Sequence, residues 1–215
     1  MDILETMKAR HSVRQYKNQA IESSKREKIN ALIKDVNAES KLSIQVFYDE
    51  PKCFDSFMAH YGKFENVKNY IAIVGNKNDQ EKAGYYGEKI VLKCQKLGLN
   101  TCWVAMTHGK SKAQIKRGQK LLIIISLGYG ETQGVPHKSK SIAELGQADQ
   151  KNEWFEKGME AVSLAPTAVN QQKFYFELLP DGTVKLTCGK GFYTKLDMGI
   201  VKYHFEEVSR KKITD

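Results

Sequence analysis

Residues 121–127 read Leu-Leu-Ile-Ile-Ile-Ser-Leu, followed at once by Gly128-Tyr129-Gly130. A run this short and this continuously apolar has no polar face, so it predicts a central strand covered on both sides. Gly128, Gly130, Gly134 and Pro136 then mark a loop that carries His137, Lys138 and Lys140.

Upstream, Ser43 to Tyr48 alternates polar and apolar residues, and Tyr70 to Val74 is a short apolar run ended by Gly75; both predict strands. A long irregular connection through Pro51 and Gly62 separates them. Tyr86, Ile90, Cys94 and Leu97 recur on one helical face that Gly98 stops, and Thr101 to Met106 reads as the next strand. Nearer the start, Asp2 and Glu5 cap a helix with Ile3, Leu4 and Met7 as its apolar stripe. Ser24 and Glu27 form a capping box for a second, with Ile29, Leu32, Ile33 and Val36 inward.

Downstream, Asn152 caps a helix bearing Trp154, Phe155, Gly158, Met159 and Val162, which ends at Pro166. Lys173 to Leu179 and Val184 to Cys188 read as a hairpin around Asp181-Gly182. Asp197 opens a last helix with Ile200, Val201, His204, Phe205 and Val208 inward. Helix, strand, strand, helix thus occurs twice, and Leu196-Asp197-Met198-Gly199-Ile200 opens the last helix much as Gly84-Tyr85-Tyr86-Gly87 opens an earlier one. The reading is a degenerate duplication, with halves at 1–145 and 150–215 packed as one compact unit; ordinary α+β packing with similar local elements is the alternative.

With 215 residues, 41% hydrophobic and 10% aromatic, the chain can bury one substantial core. It has no run of about eighteen apolar residues, and MDILETMKAR lacks the apolar core of a secretion signal, so a cytoplasmic protein without membrane partners is expected. Cys53, Cys94, Cys102 and Cys188 show no metal-ligand spacing and no metal is expected; Cys94 and Cys102 fit a core, and Cys53 is left open. The net charge of +9 brings nucleic acid into view, through Lys110 to Lys120 and Arg210-Lys211-Lys212. No nucleic-acid motif accompanies those charges, however, and anionic small molecules would be drawn equally.

Residues 10–14, Arg-His-Ser-Val-Arg, place Arg10, Ser12 and Arg14 on one side of an extended segment directly after the first helix. Two guanidiniums and a hydroxyl so arranged form a grip for a phosphate, since each guanidinium can fork onto phosphate oxygens. A solvated basic face is the alternative.

RHSVRQY, YYGEKIVLKCQKLGLNTCWVAM, LGYGETQGVPHKSKSIAEL and LAPTAVNQQKFYFEL together resemble the nitroreductase family of FMN-dependent oxidoreductases over most of the chain. The resemblance implies an α+β fold with a mainly antiparallel central sheet flanked by helices. It implies FMN as cofactor, with Arg10, His11 and Ser12 at the phosphate and Arg14 at the ring, where a cation offsets the negative charge that reduction places near N1 and O2. Backbone N–H groups of Val104, Ala105 and Met106 would approach flavin N5, although Trp103 and Met106 also suit simple core packing. Lys138 and Lys140 would complete the phosphate site, with His137 able to replace either; a solvated loop is the other reading. No side chain is expected to act as a catalytic acid or base, because hydride transfer between stacked rings needs positioning and electrostatics.

One landmark is displaced. Ala165-Pro166-Thr167-Ala168-Val169-Asn170-Gln171-Gln172 resembles the family's Ala-Pro-Ser-x-x-Asn-x-Gln segment, which usually follows the arginines within a few tens of residues. The resemblance assigns Pro166, Thr167 and Asn170 to the flavin, while a helix end and turn is the plain alternative. It implies a single chain folded as an internal pseudo-dimer, with a conventional homodimer as the second option. The implied reaction takes electrons from NAD(P)H through flavin to a nitro compound, quinone or similar small acceptor by a ping-pong mechanism. A non-catalytic flavin-binding remnant, or a basic protein binding nucleic acid or acidic partners, is the rival.

Overall fold

The computed structural model describes residues 2–213. In chain order the elements are α1 (Ile3–Ala9), α2 (Ser23–Ser40), β1 (Ser43–Phe47), α3 (Phe57–Tyr61), β2 (Asn69–Gly75), α4 (Gln80–Lys96), β3 (Asn100–Val104), β4 (Lys120–Gly128), α5 (Ile142–Leu145), β5 (Gly146–Ala148), α6 (Glu153–Ser163), β6 (Phe174–Leu178), β7 (Val184–Cys188) and α7 (Thr194–Ser209). The chain divides into two units that are not consecutive in sequence. One comprises the residues up to Lys8, Gln80–Lys89 and the chain from Pro136; the other comprises Ala9–Asp79 and Ile90–Val135.

The second of these units is built on an antiparallel sheet in the order β1-β2-β4-β3. All seven residues of β2 are buried, and β4 is buried from Leu122 onward, so the two central strands pair Ile71 with Ile125 and Ala72 with Ile124 under cover on both faces. That is why these strands read as unbroken apolar runs. On one side Ile29, Ile33 and Val36 of α2 are buried at helical spacing, and the Asn37 amide clamps β1 by giving to Ile44 O and accepting from Ile44 N, both at 2.8 Å. An aromatic group, Phe47, Phe54, Phe64 and Tyr70, joins the core, with Phe47 stacked on Tyr70 at 4.9 Å between ring centres. Cys53, Cys94 and Cys102 are buried, and burial pushes the Cys53 and Cys94 thiols up to about 12, as inert core sulfurs.

The other unit packs the first part of α4 with α6, α7 and a sheet ordered β5-β6-β7, in which β5 and β6 are parallel and β6 and β7 antiparallel. Phe205 is fully buried at its centre, stacked on Phe176 at 5.1 Å and edge-on to Phe155 at 5.7 Å. Gly158 makes room for it: a Cβ there would stand 2.5 Å from the Phe205 ring. The buried His204 joins three helices, contacting Ala161 O at 2.8 Å and Glu88 Oε1 at 3.0 Å.

Helices α4 and α7 touch backbone to backbone through a reciprocal pair of glycines. A Cβ on Gly84 would lie 1.9 Å from Leu196 O and 3.1 Å from Ile200 N; one on Gly199 would lie 1.9 Å from Glu81 O and 2.6 Å from Tyr85 N. Each glycine thus meets the residue three before and the residue one after its counterpart. This crossing also explains why α4 begins at Gln80 rather than near Tyr86: packing outweighs the weak helix propensity of Gly84 and Gly87.

Other boundaries differ for local reasons. Helix α2 starts at Ser23 after Glu22, so Ser24 lies inside the helix and no side chain caps it. Strand β3 ends at Val104, and Ala105 and Met106 belong to the bend that follows. Asn152 does cap α6, accepting from Phe155 N at 3.1 Å, but the helix stops at Ser163, three residues before Pro166. Helix α7 begins at Thr194, which puts Asp197 inside its first turns, 3% exposed.

Because neither backbone can retreat from the other, Gly199→Ala is expected to cost about 3 kcal/mol of stability or to prevent folding. Urea denaturation followed by circular dichroism measures it.

Candidate functional site

The segment from Arg10 to Tyr16 is extended because three neighbours supply its hydrogen bonds. Ser12 bridges Thr101 in parallel, and Val13 N donates to Thr101 O at 3.1 Å, so the segment borders β3. Glu65 N donates to Arg14 O at 3.0 Å and Tyr16 N to Glu65 O at 3.1 Å. On the far side Glu131 N donates to Gln15 O at 2.9 Å and Lys17 N to Tyr129 O at 2.8 Å. The buried Tyr16 hydroxyl fixes the end, 2.7 Å from both Val13 O and Ser126 Oγ on β4.

The glycine-rich loop after β4 closes over this segment, and its glycines are required. A Cβ on Gly128 would stand 2.9 Å from the Tyr16 ring, and Gly134, at φ +72°, would meet the His11 Cβ at 2.8 Å. Asn100 ties the loop down: its Oδ1 accepts from Gly130 N at 2.9 Å and its Nδ2 donates to Gln133 Oε1 at 3.0 Å.

Arg10 is 3% exposed, yet among the described residues its Nε and Nη1 have no hydrogen-bond partner. A buried guanidinium in that state is costly unless an anion completes it. His11 Nδ1 also lacks a hydrogen-bond partner among the described residues, and burial together with the neighbouring Arg10 charge holds the His11 imidazole below its ordinary 6.5, against the raising effect of the Gln133 and Ala9 backbone. Ser12 and Arg14 are exposed, the Arg14 guanidinium lying 5.9 Å over the Phe64 ring. Val104 is buried at the end of β3, Ala105 is partly covered, and Met106 is 66% exposed, which removes core packing as the explanation of Met106.

The remaining sequence-assigned residues gather in the other unit. Ala165–Gln172 forms a loop in which Val169, Asn170 and Gln172 have φ of 46°, 54° and 45°. A valine in that region is a strong outlier, and each such residue costs about 1–3 kcal/mol, so the surroundings must hold the loop firmly. Gln172, 5% exposed, is one anchor: its Nε2 donates to Lys138 O at 3.0 Å and Asn170 Oδ1 at 3.0 Å, and its Oε1 accepts from Lys140 N at 2.8 Å. Lys140 Nζ donates to Gln172 O at 3.2 Å and Asn170 Nδ2 to Lys138 O at 2.9 Å. Lys138, Lys140, Thr167 and Asn170 therefore form one network, with Gln172 N on Thr167 Oγ1 at 3.1 Å and Pro166 at the start of the loop. His137 is occupied otherwise, with Nε2 3.1 Å from Ser163 O.

The second anchor is Asp197. Its Oδ1 accepts from Ala168 N at 2.9 Å and its Oδ2 from Gln171 Nε2 at 2.7 Å; the same Nε2 donates to Phe192 O at 2.7 Å. Burial raises the Asp197 carboxyl to about 6, against the lowering effect of the Ala168 and Gln171 contacts. Sequence reading missed Asn100, Gln172 and Asp197 as site-building residues. The Asn-Gln-Gln run at 170–172 is the available sequence signal for Gln172; no local signal distinguishes Asp197 from an ordinary helix opener.

Removing the Asn100 amide leaves the buried Gly130 N–H without its acceptor, so Asn100→Ala is expected to cost about 1–3 kcal/mol. Chemical denaturation measures the cost, and hydrogen exchange should place the loosening at residues 128–134.

A family model described as "Putative TM nitroreductase" matches residues 2–209. Among solved structures, a "putative nitroreductase" of Thermotoga maritima is similar at 24% identity and TM-score 0.68, over 98% of this chain and 84% of that one. A "putative nitroreductase in complex with FMN" of Desulfovibrio desulfuricans is similar at 15% identity and TM-score 0.52, over 66% of this chain and 93% of that one. A "Putative NADH dehydrogenase/NAD(P)H nitroreductase" of Bacteroides thetaiotaomicron is similar at 18% identity and TM-score 0.51, over 66% and 95%. No match is found among curated proteins. The α+β fold with its antiparallel sheet agrees with these structures, and the family match over residues 2–209 settles the assignment: the chain belongs to the nitroreductase family and is an oxidoreductase.

Proposed function

We propose that this oxidoreductase binds FMN and passes electrons from NAD(P)H to a nitro compound, quinone or similar small acceptor, the donor product leaving before the acceptor enters. The observation that carries the reading is Arg10: a guanidinium on a residue 3% exposed whose Nε and Nη1 have no hydrogen-bond partner among the described residues. A phosphate monoester supplies the missing charge and acceptors. The residues present therefore fit FMN, with Arg10, His11 and Ser12 on the phosphate and Arg14 toward the ring. When bound, FMN supplies the hydride-accepting and hydride-donating centre.

The chain's own residues do the rest. Arg10 binds the phosphate as a fixed charge, and His11, held mostly neutral near pH 7, offers it a hydrogen bond without adding a full second charge. The exposed Arg14 offsets negative charge that develops at the ring edge. The bend at Val104, Ala105 and Met106 offers backbone donors, which leave a flat face free for stacking; no side-chain acid or base is invoked. Lys138, Lys140, Pro166, Thr167 and Asn170 are included in the proposal on the family resemblance.

The reciprocal contacts of Gly84 and Gly199 support an internal pseudo-dimer, because contacts in which i meets j−3 and j meets i−3 are those of a two-fold axis. We therefore expect a monomer in solution by light scattering. Mixing Arg10→Met with Asn170→Ala proteins should not restore flavin binding, whereas restoration would indicate sites shared between chains.

Arg10→Met tests the cofactor reading directly. It should weaken FMN retention about 100-fold or more, read by flavin fluorescence. It should also leave the apoprotein unchanged or more stable by roughly 1–3 kcal/mol, because it removes an uncompensated buried charge. Loss of apoprotein stability without change in FMN binding would mean that Arg10 serves the fold. With FMN bound, initial rates at several acceptor concentrations should give parallel double-reciprocal lines.

A further inference from the structure

We propose that Asp197 is a positioning residue for flavin binding: as a carboxylate it clasps the strained Ala165–Gln172 loop in the one conformation that binds the cofactor. The proposal rests on the flavin reading above and adds a residue and a pH sense to it.

The donor and acceptor count carries the argument. Gln171 Nε2 has two hydrogens, and both are spent, one on Phe192 O at 2.7 Å and one on Asp197 Oδ2 at 2.7 Å. Asp197 Oδ1 receives the Ala168 N–H at 2.9 Å. Three donor hydrogens thus meet three acceptors, and the set matches only while both carboxyl oxygens accept. A proton on Oδ2 would face the Gln171 NH₂ donor to donor. The amide could then turn its oxygen to Asp197 only by losing Phe192 O. The loop residues under this clasp are the left-handed ones, with Val169 90% exposed at the tip, so the loop has little packing of its own to hold it.

The groups facing Asp197 are the Ala168 amide and the Gln171 carboxamide from the loop, neither of which titrates; its own N–H goes to Tyr193 O within α7. No charged side chain contacts it among the described residues. Burial raises the carboxyl to about 6 while the two loop contacts lower it, so the clasp and the charge favour one another as long as the carboxyl stays covered. Whole-fold stability has the opposite sign. A carboxyl raised from 3.8 to about 6 takes up a proton on folding, so its contribution to global stability is full below pH 4 and lost as pH rises through 6. A clasp and a merely structural role therefore move in opposite directions with acid.

The test compares the wild-type protein with Asp197→Asn, which keeps the shape but at every pH presents an NH₂ to one of the two loop donors, Gln171 Nε2 or Ala168 N. At pH 7.5, taken as roughly 1.5 units above the carboxyl's titration, the variant should bind FMN about tenfold more weakly, the scale of one charge-assisted hydrogen bond. Below the titration the two should converge; taking the ratio cancels the titration of His11 and of the phosphate itself. A ratio independent of pH, or no loss at the higher pH, overturns the proposal. In parallel, the Ala168 backbone amide and the Gln171 side-chain amide of the FMN-free wild type are followed by NMR. Both should shift together with a midpoint near 6, and fixed resonances would overturn the clasp. If the wild type binds no FMN at any pH while these amides titrate, the flavin reading fails and the clasp stands.

Discussion

The pairing of β2 with β4 is the constraint on which the rest of this unit depends. Both strands are buried on two faces, so their register is fixed by apolar side chains that have no polar side to turn outward. Strand β3 attaches to the free edge of β4, and the extended Arg10–Tyr16 segment attaches to Thr101 of β3. Tyr16 returns to β4 at Ser126. The basic segment is thus held by the strand next to this central pair, and holding it there keeps Arg10 Nε and Nη1 buried without a hydrogen-bond partner among the described residues. The fold tolerates that cost, and an anionic ligand would repay it.

Strain recurs in the other unit. Three left-handed residues within Val169–Gln172 are sustained by two buried polar side chains: Gln172 bonds the backbone of Lys138 and Lys140, and Asp197 holds the Ala168 N–H and the Gln171 side chain. An ordinary turn would need neither. Neighbours that over-determine the local conformation are what sustain such strain. The close crossing of α4 and α7 at Gly84 and Gly199 serves the same unit, bringing His204 to Glu88 and seating Lys202 on Glu81 at 3.4 Å.

The sequence by itself determined the elements whose signal is local. The apolar runs at Tyr70–Val74 and Leu121–Leu127, the helical stripe of Ile29, Ile33 and Val36, the Asn152 cap and the Asp181-Gly182 hairpin each follow from side-chain period or turn chemistry, and each is present. The family was legible for a related reason: the residues of RHSVRQY and LAPTAVNQQ are short, contiguous motifs. What only the tertiary structure decided is everything that joins residues far apart in the chain. The early start of α4 at Gln80 depends on the close approach of Gly84 to Leu196, the need for glycine at 134 depends on His11, and the burial of Asp197 depends on a loop nearly thirty residues before it. No local period encodes such contacts, because their energy comes from backbone approach and donor–acceptor matching that exist only once the chain has folded.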